Sequence, residues 1–382
     1  MVRKKFTKKR YNLKKNISKN KKLIGGANNA AAAPAPEPAP ALEPVPTYEY
    51  LNTLNINDGT SEGLNTNTKT KTKLKFTNPL SVAVSPVDNK IYVNVQDSTT
   101  KTYIHNIRVF DGTTLNYIYT LGTEGSAGSG DNEFNRPMGI AVSSDNKIYI
   151  ADSHNHRVQV YDGYTRNYIA TLGTTNESGI SEKHFNEPCA VAVSDNKIYV
   201  ADTSNDRVQI FDRNNYSYIA TLGTTGSFGL SNNQFNHPID IAVSADETHI
   251  YVADMMSKRI QIFDGNTYNY ISSIVYKSKN KFPRAIAVSA DKLIYVINNS
   301  KNGVLVYDGN VYRKIHKNNG TEKRVYAPKY ITSIGSKSSN DKNKNNTHFN
   351  SPLSVAISIL DNETRIYVAD AQNNRVQIFK KN

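Results

Sequence analysis

Short runs in which apolar and polar residues alternate recur along most of the chain, and the runs come in repeating sets. The clearest set lies between Phe185 and Gly223, FNEPCAVAVSDNKIYVADTSNDRVQIFDRNNYSYIATLG. It contains four strand-length segments: Ala190 to Val193, Lys197 to Ala201, Arg207 to Phe211 and Tyr218 to Leu222. Period-two alternation bounded by turn residues predicts a β-strand for each, here termed a, b, c and d. Asp195-Asn196 separates a from b, and Asp212-Arg213 separates c from d. Elsewhere the c–d junction is Asp-Gly, at Asp111-Gly112, Asp162-Gly163, Asp264-Gly265 and Asp308-Gly309. Such pairs accept the positive φ of tight hairpins. Close copies of the set begin at Phe134 and Phe235. Looser ones end in the FDG at Phe110, the YDG at Tyr307 and the QIF at Gln377. One unit of about fifty residues, repeated, predicts an array or a closed ring.

Four antiparallel strands per unit predict the blade of an all-β propeller. Strand a occurs six times, after Pro79, Pro137, Pro188, Pro238, Pro283 and Pro352. Strand b also occurs six times, with Tyr92, Tyr149, Tyr199, Tyr251, Tyr295 and Tyr367 at matching positions. Strand c is likewise found six times, but strand d follows it only five times. The sixth d is at the other end, where Tyr50 to Leu54 matches Tyr168 to Leu172. An N-terminal strand completing the last blade leaves no open seam. The expectation is therefore a six-bladed propeller over residues 47–382.

The run P-x-x-I-A-V, I-Y-V-A-D, N-x-R-V-Q-I-F, Y-I-A-T-L-G resembles the NHL repeat, from Tyr48 onward and most closely in blades 2, 3, 4 and 6. With no Trp, the chain does not resemble a WD40 propeller. The resemblance implies an interaction module that binds a protein partner, and some such modules bind single-stranded RNA. It does not carry over a ubiquitin-ligase role, because one cysteine cannot build a zinc RING. Catalytic relatives of lyase or lactonase type hold a metal in the central channel, which strand a lines. Two residues after each strand-a Pro stand Ser81, Gly139, Ala190, Asp240, Ala285 and Ser354. One carboxylate and no His do not make a zinc site, so no cofactor and no enzymatic activity are expected.

Asp152/Arg157, Asp202/Arg207, Asp254/Arg259 and Asp370/Arg375 each stand five residues apart across the b–c connection. In blade 5 the equivalents are Asn298 and Gly303, and in blade 1 they align with Asn94 and Asn106. Both charges vanish together, as expected of pairs that satisfy each other, since a lone buried charge is costly. Partner contacts are expected on the rim shared by the b–c and d–a connections, because loops on a rigid scaffold usually carry function. The candidates are His154, His156, Met255, Met256, Lys258, Lys301, Lys342 and Lys344. His154 and His156 could also face one ion, although no third His shares their blade position. Cys189 matches the apolar Met138, Ile239 and Leu353 and is read as packing. Blade 5 adds a basic insertion, Arg313 to Lys329, on the opposite rim.

Charge changes the picture only at the N-terminus. The formal net charge is +14, yet eleven of the 47 Lys and Arg fall in residues 1–26, with no acid. That stretch predicts a disordered basic tail. Lys4, Lys5, Lys8, Lys9, Arg10, Lys14 and Lys15 would anchor it electrostatically to nucleic acid or serve targeting. It resembles the basic leaders ending in Gly-Gly on proteins of large DNA viruses. Residues 27–46 are an Ala/Pro spacer of extended geometry. No apolar run is long enough for a membrane helix, and no secretory signal is evident. The single Cys189 excludes an internal disulfide. An intracellular site, cytoplasm or nucleus, or a place in a large DNA virus, is therefore expected.

Overall fold

A computed structural model describes residues 44–54, 62–64, 71–73, 77–96, 103–123, 127–278, 281–298, 303–316, 322–335 and 348–382. Its strands form six four-stranded antiparallel sheets, one per repeat. Blade 3 is typical, with strands Ala190–Val193, Lys197–Asp202, Arg207–Asp212 and Tyr218–Gly223, within a residue of the positions read from the sequence. Strands c and d meet at a bulge in blades 1 to 5, between Ile210 and Phe211 in blade 3. The extra residue lets the Asp212 carboxylate cap its own turn, accepting the N–H groups of Asn214 and Asn215.

Blade 6 is built from both ends of the chain. Tyr48–Leu54 pairs antiparallel with Arg375–Lys381, matching Tyr50 to Phe379 and Leu54 to Val376. The Asn382 amide donates to the Thr47 carbonyl at 3.0 Å. Leu54 is buried in an apolar cluster that joins Tyr367, Ala369, Val376 and Ile378 of blade 6 to Val82, Ile91 and Val93 of blade 1. Five further clusters occupy the other five seams. The core is thus a circle of six interfaces rather than one centre. The six strand-b tyrosines, all with no exposed surface, point into it.

Register corrects one alignment. Strand-a prolines pair with the last residue of strand b: Pro137 with Asp152, Pro238 with Asp254, Pro352 with Asp370. In blade 1 Pro79 pairs with Val95, so Val95, not Asn94, replaces the aspartate. A strand insertion spanning Tyr103 obscured this in the sequence. Two short hairpins also interrupt expected connections. Glu62–Leu64 pairs with Lys71–Lys73 between blades 6 and 1, and Tyr312–His316 pairs with Glu322–Tyr326 within blade 5.

Because Leu54 is 2 % exposed and Leu51 is 37 % exposed, two truncations on one strand separate core from surface. Leu54→Ala is expected to cost about 2–5 kcal/mol in urea unfolding, and Leu51→Ala no more than about 0.5 kcal/mol. Equal effects would contradict the closure.

Candidate functional site

The b–c/d–a rim rests on a buried polar clamp repeated in blades 2, 3, 4 and 6. In blade 3 the Arg207 Nε donates to Asp202 Oδ2 at 2.6 Å. The remaining guanidinium nitrogens donate to the carbonyls of Ile180, Ser181 and His184. Asp202 Oδ1 accepts the Asn186 amide at 2.6 Å. Asn205 bridges Asp202 Oδ2 to the Gly179 carbonyl, and Gln209 donates to the His184 carbonyl. Each aspartate has no exposed surface. Arg157–Asp152, Arg259–Asp254 and Arg375–Asp370 repeat the pair at 2.8 Å. Burial raises the pKa of Asp152, Asp202 and Asp254, against hydrogen bonds from backbone and side-chain donors that favour the ionised form. The partners of each arginine are backbone carbonyls of the incoming d–a loop, so the clamp fixes that loop's shape. Sequence reasoning found the pairs but not the Asn and Gln members, although Asn205 and Gln209 stand in the same N-x-R-V-Q run.

A second device links each blade to the next. The residue before the strand-a Pro has a left-handed backbone at Asn78, Arg136, Glu187 and His237, with φ of 46, 54, 48 and 57°. That conformation disfavours non-glycine residues. In each case its N–H is received by a side chain of the preceding blade. His105 Nδ1 accepts Arg136 N at 3.0 Å, and His156 Nδ1 accepts Glu187 N at 3.1 Å. Asp206 Oδ1 accepts His237 N at 2.9 Å, and Asn374 Oδ1 accepts Asn78 N at 2.8 Å, joining blade 6 to blade 1. Lys258 holds the same position in blade 4, with its ammonium 5.2 Å from the Phe282 ring.

The candidates separate accordingly. His156 and Lys258 serve the links between blades. His154 turns elsewhere: its Nε2 lies 2.9 Å from the Arg136 guanidinium and 3.9 Å from the Glu187 carboxylate. The two histidines therefore do not face a common ion. Desolvation, helped by Arg136, lowers the His154 pKa. Met255 is half-buried and Met256 is 47 % exposed at the blade 4 tip. Lys301, Lys342, Lys344 and the tail residues Lys4, Lys5, Lys8, Lys9, Arg10, Lys14 and Lys15 lie outside the described residues.

The channel mouth encloses about 210 Å³, lined by Arg136, Met138, Cys189, Ile239, Arg284 and Leu353 above Ser81, Gly139, Asp240 and Ser354. Arg136 and Arg284 flank the strand-a prolines directly, so the second position after each Pro does not reveal them as channel residues. Asp240 is a stitch between blades. Its carboxyl accepts the N–H of Ile241 at 2.9 Å and that of Ile286, in blade 5, at 2.8 Å. Ser354 Oγ does the same for Val82 at 3.2 Å. Between blades 2 and 3 the innermost strands nearly touch, and a Cβ on Gly139 would meet Ala190 Cα at 2.7 Å. Burial pushes the Asp240 carboxyl up to about 7, against the pull of the two amides. Burial also pushes the Cys189 thiol up. Among the described residues, no group of three or more His, Cys, Asp or Glu is placed to hold a metal, and no helix is long and apolar enough to cross a membrane.

Four large apolar side chains are exposed on this one rim: Ile180 at 68 %, Phe228 at 72 %, Leu230 at 74 % and Met256 at 47 %. Ile180 belongs to the loop entering blade 3, Phe228 and Leu230 to the loop entering blade 4, and Met256 to the b–c tip of blade 4. The Arg207 and Arg259 clamps hold the carbonyls of Ile180 and Leu230 themselves. An open groove of about 750 Å³ runs beside Ile180, Lys183, Tyr218 and Thr221.

Two pH profiles test this geometry. Desolvation, with the nearby His154 charge, depresses the His105 pKa. Its stabilisation is therefore complete above the unfolded value of about 6.5 and is lost as pH falls through the depressed folded value. His105→Asn, copying Asn374, is expected to keep the neutral-pH melting temperature and flatten its decline towards pH 5. Asp240 has the opposite sign. Its raised value makes its contribution complete below about 3.8 and lost as pH rises through about 7, worth up to about 4 kcal/mol. Asp240→Ser, copying Ser354, is expected to remove that loss. Unchanged pH profiles in the variants would contradict both assignments.

Comparison with known proteins agrees with this architecture. Residues 134–161 match the NHL repeat, and residues 175–369, just over half the chain, match a 6-bladed beta-propeller family. No curated protein matches the sequence. Among solved structures, the Kuenenia stuttgartiensis hydrazine synthase superposes with a TM-score of 0.50 at 15 % identity, over 83 % of this chain and 80 % of that one. At that identity the likeness shows the fold alone. The chain belongs to the six-bladed β-propeller family and is built from NHL repeats.

Proposed function

We propose that this propeller is a non-catalytic interaction scaffold. Its b–c/d–a rim docks a protein partner through an apolar segment seated on blades 3 and 4, and the basic N-terminal residues supply an electrostatic anchor to nucleic acid or a targeting signal. The observation that carries this reading is the group Ile180, Phe228, Leu230 and Met256, each about half exposed or more on one rim. Isolated surface apolar residues need no explanation, but four exposed on the loops of two neighbouring blades suit the docking of an apolar segment. The loops that bear it are otherwise rich in Gly, Ser, Thr and Asn. Their backbones are fixed by buried arginines, so docking would order little and lose little entropy. Support for a non-catalytic channel comes from Asp240, whose two oxygens already receive backbone N–H groups.

Phe228→Asp combined with Leu230→Asp is expected to weaken partner association at least tenfold, on the order of one or two interface hot spots. Proximity cross-linking of the full chain measures this. Tyr164→Asp, at a c–d turn on the opposite rim and 62 % exposed, is the control and should leave association unchanged. Equal labelling by both variants overturns the assignment, as does a self-association that Phe228→Asp abolishes. Stoichiometric zinc or calcium in the purified protein would reinstate an enzyme.

A further inference from the structure

The mouth of the channel departs from the sixfold pattern of the blades. The residues directly after the strand-a prolines are Leu80, Met138, Cys189, Ile239, Arg284 and Leu353, and all six line the cavity of about 210 Å³. Four are apolar and one is a thiol, whereas Arg284 of blade 5 brings a guanidinium. A second guanidinium, that of Arg136 in blade 2, lines the same cavity. The innermost strands touch in the order of the blades, the sixth returning to the first. Blades 2 and 5 therefore face each other across the axis, and the two arginines reach the mouth from opposite sides.

Blade geometry does not require either side chain. Leucine holds the Arg284 position in blades 1 and 6, and Asn78 holds the Arg136 position in blade 1 with the same left-handed backbone. Both arginines are half-buried. Burial lowers the Arg284 pKa, so its charge stands where water is restricted and an anion is favoured. Arg136 Nη1 donates to His154 Nε2 at 2.9 Å. Desolvation, then Arg136 itself, lowers the His154 pKa, so at neutral pH this neighbour holds the guanidinium without cancelling its charge. Two carboxylates join Arg136 in acting on the Cys189 thiol of the wall. Glu187 lies at the rim, where it accepts the Ser204 hydroxyl at 3.2 Å and stands 3.9 Å from His154. Asp240 lies in the wall, but its carboxyl receives the N–H groups of Ile241 and Ile286. It is pushed up to about 7, which leaves about half of it uncharged at neutral pH. The balance at the mouth is cationic.

Two guanidiniums set in an apolar collar select an anion with a carbon body. Each guanidinium offers the forked donors that a carboxylate accepts side by side. Inorganic phosphate would use the forks but leave Leu80, Met138, Ile239 and Leu353 without a partner. At the floor, Ser354 Oγ accepts the Val82 N–H and its own O–H remains to donate. The cavity is smaller than the roughly 300–1,000 Å³ of sites for drug-sized ligands. It suits a small molecule and excludes a folded or extended polymer segment.

We propose that the channel mouth binds a small organic carboxylate, held by Arg136 and Arg284 and seated on the apolar collar between them. This site does not rest on the docking of a partner at the rim. The test is calorimetric titration of the full chain with butyrate, succinate, adipate and inorganic phosphate. Arg284→Leu, copying Leu80 and Leu353, and Arg136→Asn, copying Asn78, should each weaken carboxylate binding about tenfold or more at an unchanged melting temperature, as loss of a hydrogen bond to a charged group does. Tighter binding of succinate or adipate than of butyrate supports the site with both arginines engaged by separate carboxylates, and equal binding supports it with one carboxylate shared. Phe228→Asp combined with Leu230→Asp should leave carboxylate affinity unchanged, which separates this site from the docking group. Cys189, the single thiol of the chain, gives a readout in the unmodified protein that no folding defect can mimic: saturating carboxylate should slow its alkylation by N-ethylmaleimide. Binding of none of the three carboxylates, phosphate bound as tightly as they are, full affinity in either arginine variant, or an alkylation rate that carboxylate leaves unchanged would overturn the proposal.

Discussion

The buried Asp–Arg clamp is the interaction on which the working surface depends. A loop of about eleven residues made largely of Gly, Ser, Asn and Thr has no core of its own and would ordinarily sample many conformations. Here each such loop before blades 2, 3 and 4 is tied by three carbonyls to one guanidinium and by one amide to one carboxylate. The arginine is charge-balanced by the aspartate five residues earlier, so neither ion is buried alone. Removing either would leave an uncompensated charge under the rim and release the loop above it.

Closure works by a different principle. Six apolar seams share the stabilisation, and each seam also has a polar device adapted to its neighbours: the His105, His156, Asp206 and Asn374 links at the rim, Asp240 and Ser354 in the channel, and the Tyr48–Tyr295 hydroxyl pair between blades 5 and 6. At the rim the same job is done by His, Asp and Asn, which is why the equivalent positions look unrelated when the repeats are aligned. In blade 5, where Gly303 stands in place of the clamp arginine, a Cβ there would lie 2.9 Å from the Ile334 carbonyl.

Most of the architecture was legible because period-two patterning and the strand-a prolines repeat with little drift, and because the missing d strand had an evident match at Tyr50 to Leu54. Blade 1 misled by one residue, Asn94 for Val95, since its b–c connection carries an insertion that shifts the count. The candidate site was less legible. The Asp–Arg spacing announces a pair but not what the pair holds. His156 and Lys258 look like surface contacts in the sequence, because a left-handed cap that reaches the next blade, through its amide at Glu187 or its ring at Phe282, has no local signature. The exposed group Ile180, Phe228, Leu230 and Met256 could not be distinguished from core residues by hydropathy. Only the fold shows that these loops lie on one face and that their apolar side chains point outward.

The protein thus combines a closed ring of six blades with a clamped rim that exposes Ile180, Phe228, Leu230 and Met256. The central claim is that the clamps make the exposed loops a preformed platform. Hydrogen exchange at the amides of residues 174–186 and 224–236 in the free protein tests it most directly. Protection at Asn186, Gly229, Gln234 and Asn236, whose N–H groups are all bonded, is the predicted result, far above that of an unstructured chain. Exchange of these amides at unstructured rates would contradict the account.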